Sequence, residues 1–161
     1  MDPSEIEDRI RRYAEGPAGL KRALAKVPEA ARQWRPAPGK WSAHEIVCHC
    51  ADSETHASLR IRSLVAEAEP TILGYDQDAW AGRLDYHAHP LELALQTVDA
   101  VRATTVALLR RLPPDAWLRA GRHTERGRYT AEDWLVTYSE HLEKHAAQIE
   151  RNLAAWEAGR P

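Results

Sequence analysis

Apolar positions recur at spacings of three and four along this chain, the signature of helices, and no long strand-like alternation interrupts them. The first predicted helix opens at Asp2-Pro3, an N-cap followed by a proline at the first helical position. Ile6, Ile10 and Tyr13 form its inner stripe. Gly16-Pro17 predicts a kink or interruption, and Leu20, Leu24 and Val27 carry the pattern on to Pro28. The loop QWRPAPGKW follows. A second helix opens at Ser42, which with Glu45 forms an S-x-x-E capping box, and runs to about Glu69 before Pro70. Its inner stripe reads Ile46, His49/Cys50, Ser53, Ala57, Ile61 and Leu64. At ~27 residues and about 1.5 Å per residue it is long enough for a bundle element.

Residues 71–89 read as irregular, with a short helix over Asp76–Leu84. A third long helix starts at Pro90, with Leu91, Leu95, Val98, Val101, Thr105, Leu108 and Leu112 inward, and ends at Pro113-Pro114. A second connection, Asp115–Tyr129, contains two glycines. The last helix opens at Thr130, with Asp133 three residues on as a weaker capping box, and runs to about Glu157. Leu135, Tyr138, Leu142, Ile149 and Leu153 line it. Four long helices predict an all-α, four-helix bundle occupying residues 1–161 as a single domain, with connections long enough to cross the bundle.

Composition narrows the function. There are 22 Lys+Arg and 24 Asp+Glu in 161 residues, a formal net charge of −2. No surplus of positive charge favours a nucleic-acid partner. No apolar run approaches the ~20 residues of a membrane span, and the charged N-terminus is not a signal peptide. Cys48 and Cys50, one residue apart, cannot staple the fold, which fits a reducing, cytoplasmic location. They lie ~200° apart on a helix, so both cannot face one ion, and they read as small core residues.

The eight histidines carry the candidate chemistry. His141 and His145 sit four apart on the last helix, a spacing by which two imidazoles can chelate one ion. His145 falls within the inner stripe and His141 on its edge. His49 falls within the stripe of its own helix. Imidazoles turned toward an apolar core need hydrogen-bond partners or a metal, so a metal site and a buried polar network both fit. Three protein ligands would leave an open position, the catalytic arrangement. Asp52, on the face of His49, is a candidate to orient a ligand imidazole or to accept a proton from water. Glu45 is explained by its capping box. His87 and His89 read as loop or rim residues, and the six tryptophans as core and loop anchors.

Three stretches carry a resemblance. GKWSAHEIVCHCADSE, with Gly39, Trp41, Ser42, His49, Asp52 and Glu54, resembles the opening signature of the DinB-like family, also called the YfiT-like metal-dependent hydrolases. YDQDAWAGRLDYHAHPLELAL is similar to the family's middle segment. RHTERGRYTAEDWLVTYSEHLEKHAAQIERN resembles its ending, with His123, Gly127, His141, His145, Gln148 and Ile149. The resemblance spans about residues 34–153. It implies a DinB/YfiT-like four-helix bundle, commonly a homodimer, and a divalent metal, zinc or nickel, on His49, His141 and His145. Arg122 stands where the family commonly has an aromatic residue, a departure at that loop. The family includes hydrolases and also transferases or isomerases that use a low-molecular-weight thiol such as bacillithiol or mycothiol. The expectation is therefore a metal-dependent enzyme acting on a small molecule, by hydrolysis or thiol transfer. The competing expectation is a non-catalytic dimeric bundle whose histidines form a buried polar network. A concave opening that reaches the histidines discriminates the two.

Overall fold

A computed structural model describes residues 1–159, so the last two positions of the expected single domain lie outside the described residues. Four long helices form a bundle: α1 (Pro3–Ala25), α3 (Ala43–Ala66), α5 (Leu91–Leu109) and α6 (Ala131–Ala158). Two short helices, α2 (Glu29–Arg32) and α4 (Gln77–Arg83), lie in the connections. Both capping boxes expected from the sequence are formed. Ser42 and Glu45 close the start of α3, and Thr130 and Asp133 close the start of α6. Each satisfies amide groups that the first helical turn leaves without partners.

The bundle is not a simple chain of neighbours. α1 packs on α5 and α6, and α3 packs on the same two helices. The consecutive pairs α1/α3 and α5/α6 therefore lie diagonally, and their long connections cross an end of the bundle, as crossover bundles require. Ile46, Val47, Cys48 and Cys50 of α3 join Leu20, Leu24, Val98, Leu142 and Ile149 in one half of the core. Ile10, Tyr13, Ile61, Leu64, Leu109, Trp134 and Leu135 fill the other. The inner face of α5 is turned from the expected one. Ala94, Val98, Arg102, Thr105, Val106 and Leu109 are buried, while Leu91, Leu95 and Leu108 are only partly covered. A buried arginine inside the stripe is what hydropathy could not show.

The long connections also hold a small sheet. Its order is β1 (Thr71–Ile72), β2 (Ala120–His123), β3 (Gly127–Thr130), with β1 parallel to β2 and β2 antiparallel to β3. Strands of two to four residues are too short to establish an alternation, which is why the sequence reads them as loop. Gly127, at φ 75°, supplies the left-handed position that closes the hairpin. The hairpin carries His123 and Tyr129 inward.

Gly16-Pro17 does not interrupt α1, which runs continuously across it. The pair has another consequence. Pro17 has no amide proton, so the carbonyl of Tyr13, four residues earlier, loses its helical partner. The Arg102 Nη1 donates to that carbonyl instead. Gly16 leaves room for the guanidinium, since a Cβ there would lie 2.8 Å from Arg102 Nη1 and 3.1 Å from Leu142 Cβ. Arg102 is 1% exposed and Glu54 0%. They form a two-pronged pair, Nη2 to Oε1 at 2.6 Å and Nε to Oε2 at 2.9 Å. Nη2 also donates to the Tyr138 carbonyl at 3.0 Å, and the Tyr13 hydroxyl donates to Glu54 at 3.2 Å.

Removing one partner of a buried pair strands the other charge. Arg102→Leu is expected to lower the unfolding free energy by about 3–5 kcal/mol, read by urea denaturation. Adding Glu54→Gln to that variant is expected to recover part of the loss. A cost for Arg102→Leu below ~1 kcal/mol would show that the pair is not what joins the helices.

Candidate metal centre

His49 comes from α3, and His141 and His145 from α6, the two helices that meet along this side of the bundle. Each imidazole offers one nitrogen to a common point, and those three nitrogens lie within 4.8 Å of one another. The ring centroids are 4.8 Å apart for His49–His145, 5.6 Å for His49–His141 and 4.6 Å for His141–His145. The α3 and α6 stripes that nominate these residues are the faces the structure buries, so all three converge as the spacing predicts.

The other ring nitrogens fix the orientation. His141 Nδ1 lies 2.9 Å from Glu54 Oε1, so it carries the proton and donates, leaving Nε2 with its lone pair. His145 Nδ1 donates to Gln148 Oε1 at 3.0 Å, with the same result. Ser53 Oγ approaches His141 Nε2 at 3.4 Å. His49, 1% exposed, has Nδ1 buried without any partner, and the Trp41 ring covers it at a centroid distance of 4.6 Å. Three converging imidazoles, one of them with an orphaned nitrogen, fit a borderline divalent cation such as zinc.

Electrostatics agree. Burial, then the neighbouring His145 and His141, holds His49 down to about 2. Burial, then His141, holds His145 down to about 4. Burial alone would raise the Glu54 carboxyl, but Arg102 and then His141 outweigh it and hold Glu54 down to about 2. His49 and His145 are thus kept unprotonated, as ligands must be, and the carboxylate that anchors His141 stays ionised.

The other nominated residues fall elsewhere. Asp52 accepts the Tyr86 hydroxyl proton at 2.6 Å, rather than a proton from any of the three imidazoles. Glu45 caps α3 and pairs with Arg35. His87 Nε2 lies 2.9 Å from Ser42 Oγ, at the start of α3. Cys48 and Cys50 are buried, and burial pushes both thiols up. Glu54 and Gln148 lie inside motifs the sequence singles out, but without a role. Arg102 carried no signal beyond the Gly16-Pro17 pair that seats it.

A cavity of about 140 Å³ reaches the cluster through His141. Ser53, Arg60, Tyr75, His123 and Tyr138 are among its walls. The sheet therefore has a purpose in the fold, because its hairpin brings His123 to a cavity that α3 and α6 otherwise line.

The depressed histidines make a prediction for metal-free protein. Both bind protons more readily unfolded, near 6.5, than folded. Their contribution is intact above that value and is lost as pH falls through it. Between pH 7 and 5.5 each is expected to cost about 1 kcal/mol of unfolding free energy. Urea titrations of chelator-treated protein read this, and a His49→Leu variant that unfolds cooperatively should show a shallower dependence. An unchanged slope would disprove it.

Known proteins share this frame. A protein of Oceanobacillus iheyensis, named a candidate metal-dependent hydrolase, is 32% identical over 111 residues, 69% of this chain and 64% of its own length. The solved YfiT protein of Bacillus subtilis, described as a candidate metal-dependent hydrolase with an unusual four-helix bundle topology, superposes with a TM-score of 0.90. It is 25% identical, with 98% of this chain and 90% of that chain covered. A mycothiol-dependent maleylpyruvate isomerase shares the fold at a TM-score of 0.72 and 14% identity, over 89% of this chain and 60% of that one. No helix among the described residues is long and apolar enough to cross a membrane. The family model of the DinB superfamily matches residues 12–149, and with a match over most of its length this chain belongs to that superfamily.

Proposed function

We propose that this chain is a metal-dependent enzyme acting on a small molecule. His49, His141 and His145 hold the divalent cation, zinc or nickel, and leave one position open toward the cavity. The observation that carries this reading is the tautomer control at the cluster. Glu54 and Gln148 each accept a hydrogen bond from the Nδ1–H of one imidazole, so Nε2 of His141 and of His145 carries the lone pair beside His49. A merely structural histidine network would instead spend those nitrogens on one another or on backbone groups.

The cation, when bound, supplies Lewis acidity and brings the pKa of a water at its open position toward ~7. The chain's own residues supply the rest. Glu54, locked by Arg102, fixes the His141 ring plane. Gln148 fixes His145, and Trp41 shields His49 from water. Ser53, beside His141, presents a hydroxyl to the cavity. Asp52, on the same helix as His49, accepts a hydrogen bond from the Tyr86 hydroxyl and orients it.

Hydrolysis is the favoured reaction, supported by the names of the relatives at 25–32% identity. The fold shared with a mycothiol-dependent isomerase supports a second reading, in which the open position takes the thiolate of a low-molecular-weight thiol. In either case the enzyme is read as cytoplasmic and homodimeric, without nucleic-acid or membrane partners.

Metal content tests the proposal. Protein purified without a His-tag or chelator is expected to carry about one zinc or nickel per chain by ICP-MS, and His145→Ala to lose it. No metal in either protein, after incubation with both ions, would return the histidines to a buried polar network in a non-catalytic bundle.

A further inference from the structure

One wall of the cavity beside His141 gathers Arg60, Tyr75 and His123, each with a group able to donate. His123 is 5% exposed, and its Nδ1 accepts the backbone amide of Glu125 at 3.1 Å. The ring proton therefore sits on Nε2, which makes that nitrogen a donor. Arg60 is fixed by two bonds, from Nη1 to the Tyr138 hydroxyl at 2.8 Å and from Nη2 to the Leu73 carbonyl. Its Nε is buried and has no partner. The Tyr75 hydroxyl, in the same wall, is likewise buried without a well-formed hydrogen bond. An orphaned buried donor is costly to a fold, so the Arg60 Nε–H in this wall marks a place where an acceptor is missing.

Charge points the same way. The walls carry two guanidiniums, Arg60 and Arg126, against one carboxylate, Glu125, on an exposed turn. The carboxylates behind the cavity are already engaged. Glu54 is neutralised by Arg102, and Asp52 is held by the Tyr86 hydroxyl. Size sets a further limit. A cavity of about 140 Å³ is close to the roughly 150 Å³ that encloses a benzene-sized molecule of about six heavy atoms.

We infer that this cavity is the subsite for a carboxylate of the substrate, a small organic acid whose charged end is held by Arg60 and His123 with its remaining atoms toward His141. Only the placement of the reacting end rests on the proposed metal-dependent function; the carboxylate subsite itself does not. The fixed, planar guanidinium favours a short, planar acceptor over a bulky one.

The probes are butyrate, which carries the charge, and butyramide, its neutral counterpart. Calorimetric titrations use the full chain, both metal-loaded and chelator-treated. Butyrate is expected to bind at least about tenfold tighter than butyramide in both states, because the anion is held by the walls and not by the cation. Arg60→Gln should weaken butyrate about tenfold while leaving the metal content unchanged. Arg126→Gln, an exposed change that leaves the fold intact, should weaken it less, and Tyr75→Phe should do so without altering the circular dichroism. Equal binding of butyrate and butyramide would overturn the inference, as would butyrate binding that needs the metal. Inorganic phosphate binding tighter than butyrate would also overturn it. Selective butyrate binding by a chain that takes up no zinc or nickel would uphold the subsite while refuting the metal-dependent function.

Discussion

The ion pair between Glu54 and Arg102 lies where the four long helices meet, and each helix contributes to it. α3 provides the carboxylate and α5 the guanidinium, while α1 and α6 offer the Tyr13 and Tyr138 carbonyls. The Arg102 guanidinium carbon also stands 3.8 Å from the centroid of the Tyr13 ring. Apolar packing between helices tolerates sliding and rotation, because many interdigitations have similar energies. A buried charge does not, since it is stable only where its whole set of partners is present. The pair therefore fixes the rotation of α5 and the register of the diagonal helices. It also explains why α5 turns Arg102 inward instead of the more continuous leucine stripe.

The same carboxylate ties architecture to chemistry. Glu54 Oε1 receives both Arg102 Nη2 and His141 Nδ1, so one oxygen serves the core and the histidine cluster together. The guanidinium keeps Glu54 ionised despite full burial, and the ionised carboxylate keeps the His141 proton on Nδ1. The lone pair that remains faces His49 and His145. Burial does the complementary service for those two rings by disfavouring their charged forms. The cluster is thus preorganised by the interior, without help from solvent.

Much of this was legible beforehand. Ser42 with Glu45 and Thr130 with Asp133 placed the starts of α3 and α6 by a local mechanism, one in which side chain and backbone answer each other within a single turn. Those starts set the phase of each helix, and the phase put His49, His141 and His145 on buried stripes. The order of GKWS, His49 and the H-x-x-x-H-x-x-Q-I stretch pointed to the same three residues. Other features depended on partners far apart in sequence. Gly16-Pro17 read as a break because local rules describe what proline takes from a helix, and not what a distant arginine gives back. The strands were too short to announce themselves, and His123 gained its place only when β2 paired with Thr71–Ile72.

The sequence by itself determined the four long helices, the capping boxes of α3 and α6, the all-α class and the helix faces of the three histidines, because each of these follows from periodicity or from contacts within a turn. The tertiary structure decided the diagonal order of the helices, the seat of Arg102, the role of Glu54 and the donor-lined cavity of Arg60, Tyr75 and His123. Those features bring together residues that are dozens of positions apart, and only folding fixes which of the many chemically reasonable partners each buried polar group meets.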